Sequence, residues 1–321
     1  MLLREILVAA FAALIALPPW AQAQDYPNKP IRMVTMFGEN ANSNRDRFAA
    51  TKLGEQLGVK ILIDSKPGGG GVIALRDVYR AQPMGYSLLL ASNGLVGNTF
   101  AYKDPGYRID DYTPVGVLGI STYAMVMNAN VVPARNLAEF VAWVKASPGK
   151  VNFGIFGLAH DSNISAERFM LMSGINMTGV PYKGGDQLAL AMLAGEVHVT
   201  WISINSARVR MQNKQIVGLA HTGKERSALL PDLPTFKELG YPEMDTATWF
   251  TLFAPSSIPG TMLNRLRAAY ATASGAPEWK TAMERNGLDP FDGNQDQFMA
   301  MVRKEAAQLG ADYKRLNLPQ E

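Results

Sequence analysis

A turn that combines a tyrosine, a cation and two glycines lies at Gly179–Gly185, which reads Gly-Val-Pro-Tyr-Lys-Gly-Gly. The sequence around it predicts a short strand, Thr178–Val180, followed by a helix, Asp186–Ala194, with Asp186 as its N-cap. Ligands of open α/β sheets bind outside the carboxyl ends of strands, and helix N-terminal N–H groups favour anions. The turn could therefore bind an anion. Its proline and glycines could equally serve only to shape a βα turn, and spacing alone favours this simpler interpretation.

Histidines and glycine-rich motifs give little sign of catalysis. His160, His198 and His221 lack metal-ligand spacing, although His160 lies in a predicted cleft loop. No Gly-x-Ser-x-Gly occurs, and Pro67–Gly71 is not followed by Gly-Lys-Ser/Thr, so the hydrolase elbow and the P-loop are absent. We expect no metal and no cofactor. An exported enzyme that uses His160 and Asp161 remains an alternative.

Composition indicates an ordinary globular chain. Its 321 residues are 47% hydrophobic and 18% charged, with a net charge of +3 and no cysteine. The length favours two domains, and the weak net charge gives no reason to expect nucleic acid as a partner. The lack of cysteine excludes disulfides, thiolate metal sites, a cysteine nucleophile and an amino-terminal lipid attached to cysteine.

The amino terminus predicts a secretory signal peptide over residues 1–23. Arg4 supplies a weak positive charge, Ile6–Leu17 is an unbroken apolar run, and Ala21-Gln22-Ala23 is an A-x-A cleavage site. The run is too short for a membrane-spanning helix. We expect a mature protein that begins near Gln24, is soluble in the periplasm and has no direct membrane insertion.

Strands and helices alternate in two series along the rest of the chain. The first series comprises strands Ile31–Met36, Lys60–Asp64 and Ser87–Ala91 and helices Arg45–Leu57 and Pro67–Ala81; the second comprises helices Leu137–Ala146, Ile164–Ser173 and Ser206–Gln212 and strands Asn152–Gly154, Val197–Ile202 and Ile216–Ala220. This alternation predicts two α/β lobes. Two long apolar stretches, Val115–Asn128 and Thr246–Pro255, predict strands that cross between them.

Two lobes joined by two crossing strands would enclose a cleft. We predict one domain from residues 24–124 plus 249–321, including amphipathic helices from Gly260 onward, and a second from residues 125–248. The loops predicted to face the cleft are Phe37–Asn44, Pro67–Gly71, Ser92–Gly94, Ile155–Asn163, Tyr182–Gly185 and Ile202–Asn205. The crossing segments would act as hinges.

Motifs spread over nearly the whole mature chain carry a family resemblance. They are Tyr26-Pro27-Asn28-Lys29-Pro30-Ile31-Arg32, Lys66-Pro67-Gly68-Gly69-Gly70-Gly71, Gly85-Tyr86-Ser87-Leu88-Leu89, Val180-Pro181-Tyr182-Lys183-Gly184, Pro231-Asp232-Leu233-Pro234-Thr235, and Trp249-Phe250 through Ala254-Pro255. With the motifs in this order, the chain resembles the exported substrate-binding proteins of tripartite tricarboxylate transporters, the Bug or TctC type.

The resemblance implies a two-lobed type II periplasmic-binding-protein fold that closes on a small carboxylate and delivers it to the membrane subunits of a transporter. We expect a monomer that holds its ligand through backbone groups, small polar side chains and water. A ligand-sensing module for a signalling partner is an alternative role. The loops predicted to face the cleft contain the candidate ligand-binding residues Phe37, Gly38, Asn40, Asn42, Ser43, Asn44, Gly69, Gly70, Ser92, Asn93, Phe156, His160, Asp161, Ser162, Asn163, Tyr182 and Ser203.

Several positions depart from the family pattern. The family's first loop reads Phe-Pro-Pro-Gly-Gly, whereas Phe37–Asn44 lacks the glycine pair, and Asn163 stands where histidine is usual. Each of three further residues replaces a common aspartate: Met84, His198 and Ser203. These changes leave the fold and the receptor class in place but put the identity of the ligand in doubt.

The residues near the first loop suggest what the ligand is. The side-chain amides of Asn40, Asn42 and Asn44 could donate hydrogen bonds to the ligand, whereas Glu39 would repel a carboxylate. Arg45 and Arg47 could compensate if they turned inward, but we assign both to the solvated face of the first helix. Trp201, like Phe37 and Phe156, could offer an apolar wall. We therefore predict a mono- or dicarboxylate with an apolar or aromatic body, with Tyr182 and Ser162 on opposite rims of the second-lobe site.

Overall fold

The computed structural model describes residues 26–38, 43–155, 160–182, 185–315 and 320. The predicted signal peptide, residues 1–23, lies outside these ranges. Within them the strands are β1 (Ile31–Thr35), β2 (Ile61–Ser65), β3 (Ser87–Ala91), β4 (Tyr112–Met127), β5 (Asn152–Ile155), β6 (Thr178–Pro181), β7 (Val199–Ser203), β8 (Val217–His221) and β9 (Ala247–Pro255).

Helices follow most of these strands. They are α1 (Ser43–Leu57), α2 (Val72–Arg80), α3 (Gly94–Ala101), α4 (Leu137–Lys145), α5 (Asp161–Ser173), α6 (Gly185–Ala194), α7 (Ile204–Gln212), α8 (Gly260–Ser274), α9 (Pro277–Arg285) and α10 (Gln295–Arg315), with short 3-10 turns at Gly69–Gly71, Ile109–Asp111 and Pro242–Met244. No helix in this part of the chain is long and apolar enough to cross a bilayer.

The strands form two lobes that share β4. In the first lobe β1 pairs in parallel with β2 and β3, and β9 runs antiparallel between β3 and β4. In the second lobe β5 is parallel to β6 and β7, while β4 is antiparallel to β7 and β8. The pairing of β4 passes from β9 to β7 and β8 between Thr122 and Tyr123. The predicted two-lobed α/β fold with two crossing strands is confirmed; the residue bounds given above for the domains stay a prediction.

Each sheet buries both of its faces, as expected of parallel strands covered by helices. Successive residues of β1 enter different cores: Met33 packs with α1 and α8, and Val34 packs with α2 and α10. In β4, Met125 and Val126 likewise belong to separate cores of the second lobe. This alternation follows the two-residue period of a strand. Phe37 and Ser92, which follow β1 and β3, line the cleft between the lobes.

Three local predictions were wrong. Helix α3 was not predicted, because glycine and β-branched residues in Gly94–Ala101 are poor helix formers. Helix α5 begins at Asp161 rather than at Ile164 and shortens the predicted loop. Helix α6 begins at Gly185, so Asp186 lies in its first turn and is not the N-cap. Burial of Leu95 and Val96, which the local sequence does not reveal, stabilises α3.

Candidate functional site

A cavity of about 840 Å³ lies between the two lobes. Its first-lobe wall comes from the end of β1, the glycine tract after β2 and the start of α3; its second-lobe wall comes from the start of α5, the end of β6, α6 and α7. Of the predicted site residues, those that line it are Phe37, Gly38, Gly69, Gly70, Ser92, His160, Tyr182 and Ser203. The volume falls within the range of small-molecule pockets.

Arg45 occupies the first-lobe wall and is buried, with only 1% of its surface exposed. The prediction that it lies on the solvated face of α1 was wrong, whereas Arg47 is exposed as expected. The reason is helical spacing, because Arg45 shares one stripe of α1 with Ala49, Leu53 and Leu57, all of them buried. This four-residue period was visible in the sequence and could have located Arg45.

The guanidinium of Arg45 is held by one carboxylate and two rings. Its Nε donates to Asp46 Oδ1 at 2.8 Å, and its Nη2 lies 2.7 Å from the same oxygen. Its Cζ lies 3.9 Å from the ring centroid of Phe250 and 5.1 Å from that of Phe37. Burial lowers the pKa of Arg45 and raises the pKa of Asp46, although the attraction within the pair opposes both shifts.

The glycine tract Gly69–Gly71 has a left-handed backbone conformation that favours glycine. Gly69, Gly70 and Gly71 all have positive φ angles of 54°, 60° and 99°, which residues with a Cβ adopt reluctantly. A Cβ on Gly71 would lie 2.0 Å from the Met36 methyl carbon. Within the described part of the chain, no acceptor receives the N–H of Gly69 or Gly70. Both groups are therefore available to an anion in the cavity.

Asn93 bonds to the start of β9 and to Glu305 of α10 and does not line the cavity. Its Nδ2 donates to Ala247 O at 3.2 Å and to Glu305 Oε1 at 2.5 Å. Its Oδ1 accepts from Thr248 Oγ1 at 2.8 Å and from Trp249 N at 2.9 Å. Both donors and both lone pairs of this amide are thus used inside the protein, and the residue is 4% exposed.

His160 caps α5 and contributes to the second-lobe wall. Its Nδ1 accepts from Ser162 N at 3.1 Å and lies 2.9 Å from Ser162 Oγ. A neutral imidazole that accepts at Nδ1 carries its proton on Nε2. Burial lowers the pKa of His160 to about 4, so the ring is uncharged at neutral pH. Ser162 is fully buried and contacts His160 through its N–H and hydroxyl groups. Its predicted place on a rim of the site was therefore wrong.

Two further predicted residues, Asn163 and Asn44, do not line the cavity. Asn163 is buried in the first turn of α5, and Asn44 is exposed at the start of α1. Asn40, Asn42 and Phe156 lie outside the described residues, as do the side chains of Ser43 and Asp161.

Tyr182, Ser203 and Arg210 line the second-lobe wall beside an apolar surface made by Leu188, Met192, Leu193, Ile202 and Ile216. Ser203 Oγ caps α7 by accepting from Ser206 N at 3.3 Å. No residue in the described ranges accepts a hydrogen bond from the Tyr182 hydroxyl or pairs with Arg210. Both side chains are therefore available to a ligand that enters the cavity.

The aromatic walls differ from the prediction. Trp201 is fully buried against Phe153 and Phe169 and does not line the cavity, because β7 turns its neighbours Thr200 and Ile202 that way instead. On β9 the same alternation buries Trp249 and places Phe250 on the cavity wall. The sequence reveals this alternation but not which face of each strand meets the cleft.

The described part of the site has no arrangement typical of metal catalysis. Among the described residues, no three histidine, aspartate or glutamate side chains meet in a way that could hold a metal ion. The Ser162 hydroxyl, which lies 2.9 Å from His160 Nδ1, is fully buried and does not line the cavity. The described groups of the site are hydrogen-bond donors, one buried ion pair and apolar walls, which suit reversible binding.

Comparison with known structures agrees with a site built for reversible binding. Two solved structures share the fold over 92% of this chain and all of theirs: the periplasmic binding protein BugD, 25% identical with a TM-score of 0.84, and R. palustris Rpa4515 with adipate, 26% identical with a TM-score of 0.86. The protein is thus of the periplasmic solute-binding receptor class.

Sequence comparison identifies the family. The model of the tripartite tricarboxylate transporter family receptor matches residues 46–318. A UPF0065 protein of Bordetella pertussis is 30% identical over 319 residues, which cover 99% of this chain and 98% of that protein. The chain belongs to the tripartite tricarboxylate transporter receptor family, and the resemblance inferred from its motifs is confirmed.

Proposed function

We propose that this protein binds a small mono- or dicarboxylate with an apolar or aromatic body, closes on it, and delivers it to the membrane subunits of a tripartite transporter. The observation that carries the proposal is the mixed lining of the cavity between the lobes. Main-chain donors of Gly69 and Gly70 lie on the same wall as the rings of Phe37 and Phe250. Such a lining offers both donors for a carboxylate and an apolar surface for its body.

A carboxylate that leaves water needs hydrogen-bond donors in return. The cavity supplies the glycine N–H groups and the Tyr182 hydroxyl. Leu188, Met192 and Ile202 offer the opposite wall an apolar character that citrate would use poorly. The structurally similar Rpa4515 is a structure with adipate, a dicarboxylate with an apolar chain, and this likeness supports the assignment.

A thermal-shift screen tests the ligand class. Adipate, medium-chain monocarboxylates and aromatic carboxylates should raise the melting temperature more than citrate does, because their bodies bury apolar surface against the cavity walls. Calorimetry on the best compounds should give one site per chain. If citrate, or a cation that lacks a carboxylate, gave the largest increase in melting temperature, the proposed ligand class would be contradicted.

Closure of the lobes is tested by small-angle scattering. The crossing strands β4 and β9 are the connections around which the lobes can rotate. The radius of gyration should therefore decrease when adipate saturates the protein. An unchanged radius with ligand demonstrably bound would contradict ligand-induced closure.

A receptor releases its ligand chemically unchanged. Mass spectrometry of adipate after prolonged incubation with the protein should recover adipate alone, and the same method can identify a small molecule that copurifies. The appearance of a product would favour the enzyme alternative that uses His160. Delivery to membrane subunits is supported by the family description and can be tested by adipate uptake in cells with and without this chain.

A further inference from the structure

We infer that Arg45 is the specificity-determining residue of the cavity: its guanidinium, fixed on the first-lobe wall, binds a carboxylate of the ligand directly. The inference rests on the proposed function and names the group that would select for negative charge. It departs from the water- and backbone-mediated binding that the family resemblance implies.

The guanidinium keeps hydrogen-bond donors that Asp46 does not use. Nε donates to Asp46 Oδ1, but Nη2, although 2.7 Å from that oxygen, lacks the alignment of a hydrogen bond and is buried without any such partner. No acceptor among the described residues is bonded to Nη1. An arginine carries five N–H groups in a planar fork, and the pair of terminal nitrogens matches the two oxygens of a carboxylate.

Two aromatic rings fix the plane of this fork. Phe250 lies 3.9 Å from Cζ and Phe37 lies 5.1 Å from it, while the rings themselves are 5.4 Å apart. Stacking occupies the face of a guanidinium and leaves its edge free to donate. Arg45, Phe37 and Phe250 all line the cavity, so a carboxylate body could rest on the rings while its charged end meets the edge.

The buried charge of Arg45 favours contact with a ligand anion, although the Asp46 carboxylate opposes it. Asp46 is 3% exposed and its Oδ2 has a further contact with Thr35 Oγ1 at 3.4 Å, so the carboxylate is committed to the protein interior. Arg45 is only 1% exposed, so its charge is poorly solvated, and this burial lowers its pKa. A ligand carboxylate would solvate that charge, and a hydrogen-bonded charge pair in a low-dielectric cavity is stronger than the same pair in water.

Substitutions that keep the core neutral test the inference. Removing Arg45 alone would leave Asp46 buried and unpaired, so the informative variant is the double substitution Arg45→Met with Asp46→Asn. Binding of adipate, measured by calorimetry, should weaken at least tenfold in this variant. Arg47→Gln, which removes an exposed cation from the same helix, should retain the wild-type affinity.

A second variant separates binding from mere packing. In Asp46→Asn the guanidinium loses its internal counterion, so adipate should bind several-fold more tightly and raise the melting temperature by more than in the wild type. A purely structural Arg45 would produce no such gain. If the double variant folds and binds adipate as the wild type does, the inference is overturned while the receptor assignment stands. If the wild type binds none of the carboxylates in the screen, the proposed function and this inference both fail.

Discussion

The two walls of the cavity hold their polar groups in different ways. On the first-lobe wall Arg45 is buried, ion-paired with Asp46 and stacked on Phe250, and the glycine N–H groups are fixed by the backbone. On the second-lobe wall His160, Tyr182, Ser203 and Arg210 are partly exposed and stand beside apolar helix surface. Under the proposed function, we therefore expect the first lobe to fix the charged end of the ligand and the second lobe to adapt to its body on closure.

The largest expected effect of a single change lies just behind the first-lobe wall. Asn93→Ala removes the four hydrogen bonds that this amide makes with Ala247, Thr248, Trp249 and Glu305. The free energy of unfolding should fall by about 2–4 kcal/mol, measured by urea unfolding. Asn44→Ala, at an exposed position, should change it by less than about 0.5 kcal/mol. Equal effects of the two substitutions would contradict the structural role of Asn93.

On the second-lobe wall His160 should make stability depend on pH. Its pKa is about 4 in the folded protein and near 6.5 in the unfolded chain, so between these values only the unfolded chain takes up the proton. The free energy of unfolding should therefore decrease as pH falls from 6.5 to 4, by about 1–3 kcal/mol, the lower end allowing for partial exposure.

The matched variant is His160→Asn, because asparagine also caps helices but does not titrate. Urea unfolding near neutral pH and again close to the folded-state pKa of about 4 should show a smaller loss in this variant than in the wild type. His221, whose pKa burial also lowers, is present in both proteins and cancels in the comparison. Identical losses would mean that His160 is as solvated in the folded protein as in the unfolded chain.

Tyr182→Phe tests whether the second-lobe wall contributes a hydrogen bond. If the hydroxyl meets adipate or an ordered water, the binding free energy should weaken by about 0.5–1.5 kcal/mol. Tyr79→Phe, at a position 48% exposed and outside the cavity lining, should leave affinity unchanged. An unaltered affinity in Tyr182→Phe would assign this side chain to packing alone.

The smallest effect is expected at Arg210. This side chain is partly exposed, so its attraction for a carboxylate is screened, and Arg210→Gln should weaken adipate binding by less than about 1 kcal/mol. Arg208→Gln, on the same helix but bonded to Asn205 and Gln212, is the control. A loss at Arg210 that equals the loss in the Arg45 double variant would remove the distinction between the two walls.

Much of the fold followed from sequence. The spacing of apolar residues and the glycine-rich turns predicted both lobes, and strand β3 was predicted with the bounds that it has in the structure. The motifs also predicted the family. These features are local, because strand and helix periods and turn residues act over a few positions of the chain.

The composition of the cavity walls depended on tertiary structure. The sequence contains the stripe that buries Arg45 and the alternation that separates Trp249 from Phe250, but it does not say which face of each element meets the other lobe. Helix α3 likewise forms because Leu95 and Val96 are buried by distant elements, against their weak local propensity. Side-chain types and periods are properties of the chain, whereas the choice of face is made when the two sheets pack around β4 and β9 and bring residues far apart in sequence to one cavity.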